Sequence, residues 1–225
     1  MGSALALVAD DRSNRTLTVT HTDRFSVPAA VSIRLDNSFG EIDVEGWDLP
    51  EVEVTVTKSV EDLSREEGRA QKRLDAVQIA VKHTEGETII STDYPKQSGI
   101  SHVFGRRGDV DIVYRIYAPR GAKLVIEHNR GGLNIAGMSG DIHATVDRGQ
   151  ITLISDTLYA VDAKCKIGTV YSDFDGRDQR HHFGEAFERQ SAASAPNLYA
   201  RTAFGDIMIL KPSGILKLTA PPRAE

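Results

Sequence analysis

Apolar and polar residues alternate along several short segments of this chain, and the alternation restarts at regular intervals. Each segment contains a glycine that is followed, at the second and usually the fourth position, by an aliphatic residue. The unit recurs at five glycines, which are Gly40, Gly131, Gly149, Gly168 and Gly205. The last four are 18, 19 and 37 residues apart. Alternation with a period of two is typical of a half-buried β-strand, and its recurrence at a fixed longer period indicates a repeat architecture.

Aligning the five segments on their glycines reveals twenty positions with a shared character. The positions seven and five before the glycine, and two and four after it, are apolar in every segment except at Ser172. In the order of the glycines they are Ile33, Leu35, Ile42 and Val44; Leu124, Ile126, Leu133 and Ile135; Ile142, Ala144, Ile151 and Leu153; Val161, Ala163, Val170 and Ser172; and Leu198, Ala200, Ile207 and Ile209. The repeat predicts two short strands per unit, with the glycine at a bend that requires positive φ.

We therefore predict an all-β fold, a single-domain β-solenoid or stacked ladder of short strands with about 18–19 residues per rung. Rungs stacked ~4.8 Å apart place like residues on like residues, in buried apolar columns. The two columns expected here are Ile142 with Val161 and Leu198, and Ile151 with Val170 and Ile207. A meander of ordinary hairpins with glycine in its turns is the alternative, and the one-dimensional spacing favours the solenoid.

The repeat is interrupted between Gly40 and Gly131, where other elements are expected. Residues 52–57 alternate as a strand, and 111–118 form another. One short helix is expected near 60–75, because Leu63, Ala70 and Leu74 are spaced to share a helical face. Residues 77–82 and 88–92 are expected to form a hairpin.

The domain organisation follows from these patterns. We expect one β domain over 14–219, with N-terminal strands, helix and hairpin in 14–118 and solenoid rungs in 119–219. Residues 173–197 are interpreted as an insertion loop that replaces the rung expected between Gly168 and Gly205. Residues 1–13 are interpreted as a cloning start followed by a linker. Residues 220–225 are expected to be a loose tail, because the two prolines there cannot donate to a strand ladder.

Composition narrows the class without identifying any chemistry. The net charge of −5 and the absence of a Lys/Arg cluster argue against nucleic acid as a partner. No apolar run approaches the ~18 residues of a membrane helix, so we expect a chain that does not span a membrane. A single cysteine excludes an internal disulfide framework.

Two stretches carry a resemblance to a known family. The first runs from Val31 through Gly40, Gly46 and Trp47, and the second runs from Ile116 through Pro119 and Gly121 to Gly149. They resemble the bacterial putative-adhesin domain family, and the similarity covers most of residues 25–212. The resemblance implies a β-solenoid-like domain on an envelope or exported protein, in the periplasm, at the cell surface or outside the cell. It brings no catalytic residues with it, and the sequence leaves a cytoplasmic location open.

Candidate chemistry is sparse. The cluster of Asp178, His181, His182 and Glu185 has ligand-type residues, but adjacent histidines on an extended segment point apart. Residues 107–109 spell Arg-Gly-Asp, a motif too short to indicate recognition without structural context. Cys165 lies three residues before a repeat glycine, and we expect a packing role for it. We therefore predict no catalytic, cofactor-binding or metal-binding residues and no cofactor.

The function expected is that of a non-catalytic envelope or surface module acting in structure, adhesion or assembly. The partner is an unidentified protein or a surface polysaccharide. A carbohydrate-binding or carbohydrate-active β-helix protein is one alternative, and an accessory sensing domain for a membrane partner is another. Arginine and aromatic residues are enriched in binding hot spots. They are concentrated in 173–197 and 95–109, so any binding surface is expected to include the first segment, joined by the second.

Overall fold

The computed structural model describes residues 15–28, 31–62, 67–84, 86–93 and 110–212, and the structural statements below refer to them. These residues form strands and one helix. In chain order the elements are β1 (Arg15–Ser26), β2 (Ser32–Phe39), β3 (Glu41–Trp47), β4 (Glu51–Asp62), α1 (Glu67–Ala76), β5 (Gln78–His83), β6 (Glu87–Asp93), β7 (Asp111–Pro119), β8 (Lys123–Arg130), β9 (Leu133–Ala136), β10 (Ile142–Arg148), β11 (Ile151–Ile154), β12 (Ala160–Ile167), β13 (Val170–Ser172), β14 (Arg177–Arg180), β15 (Glu185–Arg189), β16 (Asn197–Phe204) and β17 (Ile207–Leu210).

The strands form two mixed sheets, neither of which closes on itself. Sheet 1 has the order β1-β4-β7-β3-β9-β11-β17-β13. Sheet 2 has the order β14-β15-β12-β16-β10-β8-β2-β6-β5. The central strands of both sheets pair in parallel, and antiparallel pairs are added at both ends of sheet 2 and at the β1 end of sheet 1. The all-β class predicted from the alternation is confirmed.

The region before the repeat follows its predictions closely. The strand expected at 52–57 lies within β4, and the one at 111–118 is β7. The expected hairpin is the antiparallel pair of β5 and β6. The predicted helix is present as α1, but residues 60–62, which were expected to belong to it, are part of β4. Val60 continues the alternation of β4 and packs against Ala70 and Leu74 of the helix, so this position serves the strand. Within the described residues, no helix is long and apolar enough to cross a bilayer.

The aligned repeat positions form the core between the sheets. Nineteen of the twenty are buried, and the exception is Ser172, the one polar residue among them. Neighbouring strands place equivalent positions side by side. Ile142 pairs with Leu198, which pairs with Val161, and Ile207 pairs with both Ile151 and Val170. Burying an aliphatic side chain contributes roughly 1.5–3 kcal/mol, so these rows are the main source of stability.

The order of the strands differs from the order of the repeats. Equal steps along the chain place β16 after β12, but β16 lies between β10 and β12, and β17 lies between β11 and β13. The five residues between β11 and β12 pass from sheet 1 to sheet 2 and also advance by two strand spacings, ~10 Å, which is within the reach of an extended chain. The last strand pair then fills the gap. The inward residues of β16 and β17 match those of the strands on either side. The periodicity along the sequence is therefore the same whether this pair lies last or second to last in the sheets.

The segment 173–197 is not a loop outside the sheets, as the sequence suggested. It contains β14 and β15, and β15 pairs antiparallel with β12 at the edge of sheet 2. Phe187 and Ala186 are buried there. The two strands together have only nine residues, and the apolar ones among them are the adjacent Ala186 and Phe187. Their alternation is therefore too short to detect in the sequence.

The corner glycines have the conformation that the repeat requires. All five have positive φ, and the second corner, at Gly131, has φ of 128°. A Cβ atom on Gly131 would overlap the carbonyl group of Gly40 on the adjacent strand pair. The glycine therefore serves both the turn and the close approach of neighbouring corners.

Candidate functional site: a ridge along the glycine corners

The residues that immediately precede the corner glycines form one continuous row on the surface. Their cross-strand register joins Phe39 to Arg130, Arg130 to Arg148, Arg148 to Phe204, and Phe204 to Ile167. We call these five residues, together with Phe183, the corner ridge. The row crosses five neighbouring strands of sheet 2.

The position of the corner explains why these side chains are exposed. Two residues earlier, Val146, Cys165 and Thr202 are buried between the sheets. A continuing strand would point the ridge residues the same way. The chain turns at the glycine instead, and the interior ends there. Ile167 and Phe204 remain 49% and 48% exposed.

Phe183 extends the apolar end of the ridge. It lies in the turn between β14 and β15, and its backbone carbonyl accepts a hydrogen bond from the N–H of Gly168 at 3.2 Å. This bond places Phe183 beside the corner that follows Ile167. Its side chain is 77% exposed. The apolar part of the ridge is therefore made of side chains from three separate strands and turns.

The middle of the ridge is cationic. The guanidinium carbon of Arg148 lies 5.4 Å from the centre of the Phe204 ring. Its only ion pair within the described residues is a long one, 3.9 Å to the carboxylate of Asp147, with both side chains more than half exposed. Exposed pairs of this kind contribute little. Arg130 forms no ion pair with any residue that the structure describes.

A shallow groove joins the two arginines to Phe39, at one end of the ridge. Its volume is about 210 Å³, and it is lined by Phe39, Asn129, Arg130, Asp147 and Arg148. The ridge therefore runs from an apolar end through two arginines to Phe39. Exposed aromatic and arginine side chains held at fixed positions are the kind that dominate binding interfaces.

The arginine and aromatic residues predicted in 173–197 divide into separate roles. Only Phe183 reaches the ridge. Phe187 is buried in the core, Arg180 pairs with Glu185 at 3.4 Å, and Arg189 donates to the carbonyl of Tyr159 at 2.9 Å. The second predicted segment, 95–109, and the Arg-Gly-Asp motif at 107–109 lie outside the described residues.

The candidate metal ligands are not brought together. Within the parts of the chain that the structure describes, no group of three or more His, Cys, Asp and Glu side chains is placed to hold an ion. Glu185 instead accepts a hydrogen bond from the N–H of Val170 at 3.0 Å. Its carboxylate helps to join the hairpin to the edge of sheet 1.

Cys165 is buried in the core next to the hairpin. Its sulfur accepts a hydrogen bond from the N–H of Glu185 at 3.1 Å and donates to the carbonyl of the same residue at 3.5 Å. A reactive thiol requires access and an electropositive setting. This one is enclosed by backbone groups and connects β12 to β15.

An aromatic cluster on the outer face of sheet 2 is already occupied by its own members. The ring of Tyr199 stacks on His143 at 4.3 Å, and the guanidinium of Arg201 lies 3.9 Å from the same ring. Arg201 also pairs with Asp162 at 2.5 Å. His143 and Asp162 lie on opposite sides of β16, so Tyr199 is enclosed between an imidazole and a guanidinium.

A second, larger groove is polar. Its volume is about 440 Å³, and it lies where β8, β10 and β16 begin. Lys123, Ser139, Asp141, Ser194 and Asn197 contribute its polar side chains. One oxygen of Asp141 accepts hydrogen bonds from the backbone and side-chain nitrogens of Asn197 at 2.8 and 3.3 Å.

The corner ridge was missed in the sequence although its signal is present. The position before the glycine holds Phe39, Arg130, Arg148, Ile167 and Phe204. These residues share neither polarity nor charge, so a search for periodic hydrophobicity does not find them. Their common features are large size and a fixed place beside a corner.

Comparisons with known proteins show a similar fold in one solved structure and do not identify a function. No family model matches the chain, and no curated protein matches it. The structure is similar to that of a putative cell adhesion protein from Clostridium sporogenes, with a TM-score of 0.52 and 11% identity, covering 87% of this chain and 100% of that one. Identity this low shows a shared fold alone. A putative adhesin from Parabacteroides distasonis aligns over 84% of this chain and 97% of its own, with 11% identity and a TM-score of 0.24, too low to carry an argument.

Proposed function

We propose that this protein is a non-catalytic, exported surface module that adheres to a macromolecular partner through the corner ridge. The observation that supports the proposal is the unbroken row of apolar and arginine side chains at the surface, which is half-buried at Phe39 and exposed at the other positions. A soluble domain gains nothing in stability from such a row, because the side chains are largely in water. A row of this kind is characteristic of an interaction surface.

The arrangement behind the ridge supports the same proposal. We interpret the parallel strand pairs and their aligned cores as a short β-solenoid, with one ridge residue carried by each turn. Backbone hydrogen bonds between successive corners hold that spacing, as from Gly131 N–H to the Arg148 carbonyl at 3.0 Å. A backbone held in this way does not have to be ordered when the ridge binds, which lowers the entropic cost of binding. The resemblance to an adhesin domain family agrees with this mode of action.

Cell retention tests the proposal directly. The purified, fluorescently labelled protein is added to intact cells of the source organism and the bound fraction is measured. The ridge variant carries Phe183→Ser, Ile167→Ser and Phe204→Ser. We expect it to lose most of the retention, because the three changes remove the apolar part of the ridge.

A matched control removes a similar number of exposed apolar side chains elsewhere. It carries Leu49→Ser, Leu158→Ser and Tyr171→Ser, at positions that are 39%, 56% and 56% exposed. We expect it to be retained like the unchanged protein. Equal retention of both variants, or no retention of the unchanged protein, would contradict the proposal.

Carbohydrate binding is a second candidate, supported by the polar groove beside Asp141. Ammonium, carboxylate, hydroxyl and amide groups converge there, and such groups are suited to hydrogen bonding with sugar hydroxyls. Titration calorimetry against neutral oligosaccharides is the test. If the groove binds carbohydrate, Lys123→Ala should weaken the binding of the oligosaccharides. Equal heats of binding for the variant and the unchanged protein would exclude this groove.

A further inference from the structure

The corner ridge has a definite order of chemistry along its length. From one end to the other it presents Ile167 with Phe183 beside it, then Phe204, Arg148, Arg130 and Phe39. The two arginines are adjacent, and among the described residues the one ion pair that either forms is that of Arg148 with the exposed Asp147 at 3.9 Å. The chain as a whole carries a net charge of −5, so this cationic pair stands out against an acidic molecule.

Adjacent arginines with so weak a counter-charge favour an anionic ligand group. A guanidinium binds a carboxylate through paired hydrogen bonds, which are stronger than neutral ones. A carboxylate placed between Arg148 and Arg130 can bind both guanidinium groups. It competes only with the long, exposed ion pair between Arg148 and Asp147. The apolar groups on both sides exclude water from such a contact, which strengthens it.

The spacing of the row selects a polymer of matching length. Residues in register on neighbouring strands are ~4.8 Å apart, so the five residues of the row span ~19 Å. An extended peptide places every second side chain on one face, at intervals of ~6.7 Å. Four such side chains cover the row. Counted from Ile167, they fall beside Ile167, between Phe204 and Arg148, beside Arg130, and beside Phe39.

We propose that the corner ridge binds an extended acidic segment of a partner protein, seven residues long, with the pattern apolar-x-apolar-x-acidic-x-apolar counted from the Ile167 end. The acidic side chain binds Arg148 and Arg130, and the apolar ones pack on Ile167, Phe204 and Phe39. This inference depends on the proposed function, because it names the partner of the same ridge. The direction of the peptide chain along the row is an outcome of the test.

Short synthetic peptides test the pattern. The probes are acetylated, amidated and fluorescent, with the sequences LSLSESL and LSESLSL for the two chain directions. Their controls are LSLSQSL and LSQSLSL, and a second pair, ESLSLSL and LSLSLSE, moves the charge to an end. Binding to the full chain is measured by fluorescence anisotropy. We expect one of the first two probes to bind at least about tenfold tighter than its glutamine counterpart, as charged hydrogen bonds require.

Protein variants assign the effect to the arginines. Arg148→Gln with Arg130→Gln is expected to abolish the preference for glutamate. Lys164→Gln, which removes an exposed cation from the outer face of β12, is expected to leave it unchanged. Equal binding of the glutamate and glutamine probes, or a preference that survives the double arginine change, would overturn the inference.

The competing ligands give different results. Retention on cells that is blocked by polygalacturonate and not by the peptides would overturn the peptide partner while leaving the ridge as the adhesive surface. Self-association in sedimentation, removed by the double arginine variant, would replace the partner by a second copy of this chain. Retention that does not depend on the ridge would remove the proposed function itself.

Discussion

The inward-facing columns and the corner ridge arise from the same repeat and have opposite properties. The columns, such as Ile151 with Ile207 and Val170, are buried and uniformly apolar. The ridge lies two residues beyond the last inward position, is about half exposed and mixes aromatic, aliphatic and cationic side chains. One period along the chain therefore generates both a core that is mainly apolar and a surface on which the side-chain chemistry varies freely. Substitutions in each part test that contrast.

A charge in a column should have the largest effect. Ile151→Asp buries a carboxylate with no partner between the sheets, and we expect a loss of more than about 4 kcal/mol or failure to fold. The matched control is Gln150→Asp, one residue earlier and exposed. Urea unfolding followed by circular dichroism measures both. Similar losses for the two variants would mean that the column is not part of a packed core.

Two phenylalanines of the same hairpin separate core from surface. Phe187 is buried and Phe183 is exposed. We expect Phe187→Ala to cost about 3–5 kcal/mol through loss of packing. Phe183→Ala should change the unfolding free energy by less than about 0.5 kcal/mol, as surface changes do. Thermal or urea unfolding decides between them. If Phe187→Ala left the unfolding free energy unchanged, 173–197 would be better described as a loop outside the packed core.

Corner geometry gives the next effect. Gly131→Ala imposes an unfavourable φ and places a methyl group against the carbonyl of Gly40. We expect a loss of about 2–3 kcal/mol. Gly121→Ala is the control, because a Cβ atom there meets nothing within 4 Å. If the two variants unfold at the same urea concentration, the close approach of the corners is not a constraint.

The smallest effect is a dependence on pH at the end of sheet 1. Asp173 accepts hydrogen bonds from the backbone N–H of Lys211 and from the hydroxyl of Tyr171, both at 2.9 Å, and these lower its pKa. A carboxyl group with a lowered pKa in the folded state adds stability above its ordinary pKa. That stability is lost as the pH falls through the folded-state value.

Asp173→Asn should therefore be less stable than the unchanged protein at neutral pH, and the difference should shrink below a pH of about 4. Urea unfolding across this range measures it, with the exposed Asp175→Asn as the control. A difference that is constant with pH would show that the carboxylate charge plays no part.

Periodicity predicts the core because both depend on the same physical rule. A half-buried strand must alternate, and a sharp corner must have a residue that tolerates positive φ, so Gly149 and the aliphatic residues around it identify the rows in advance. The order of the strands could not be predicted in this way. Ala144, Ala163 and Ala200 are interchangeable as neighbours, and five residues after β11 reach either one or two strands away.

The ridge and the hairpin escaped prediction for different reasons. At the ridge, Arg148 and Phe204 differ in every property that a hydrophobicity pattern measures, and their proximity comes from the register of parallel strands. In the hairpin, a single buried Phe187 among charged neighbours is too little alternation to indicate a strand. Both depend on contacts between residues that are distant in sequence.

Photocrosslinking tests whether the corner ridge is the surface in contact with the partner. p-Benzoylphenylalanine is placed singly at Phe183 and Phe204 on the ridge, and at Leu158 and Tyr171 as exposed controls away from it. Each labelled protein is bound to intact cells and irradiated. We expect adducts of one size from both ridge positions and none from the controls. Adducts from Leu158 or Tyr171, with none from the ridge, would contradict it.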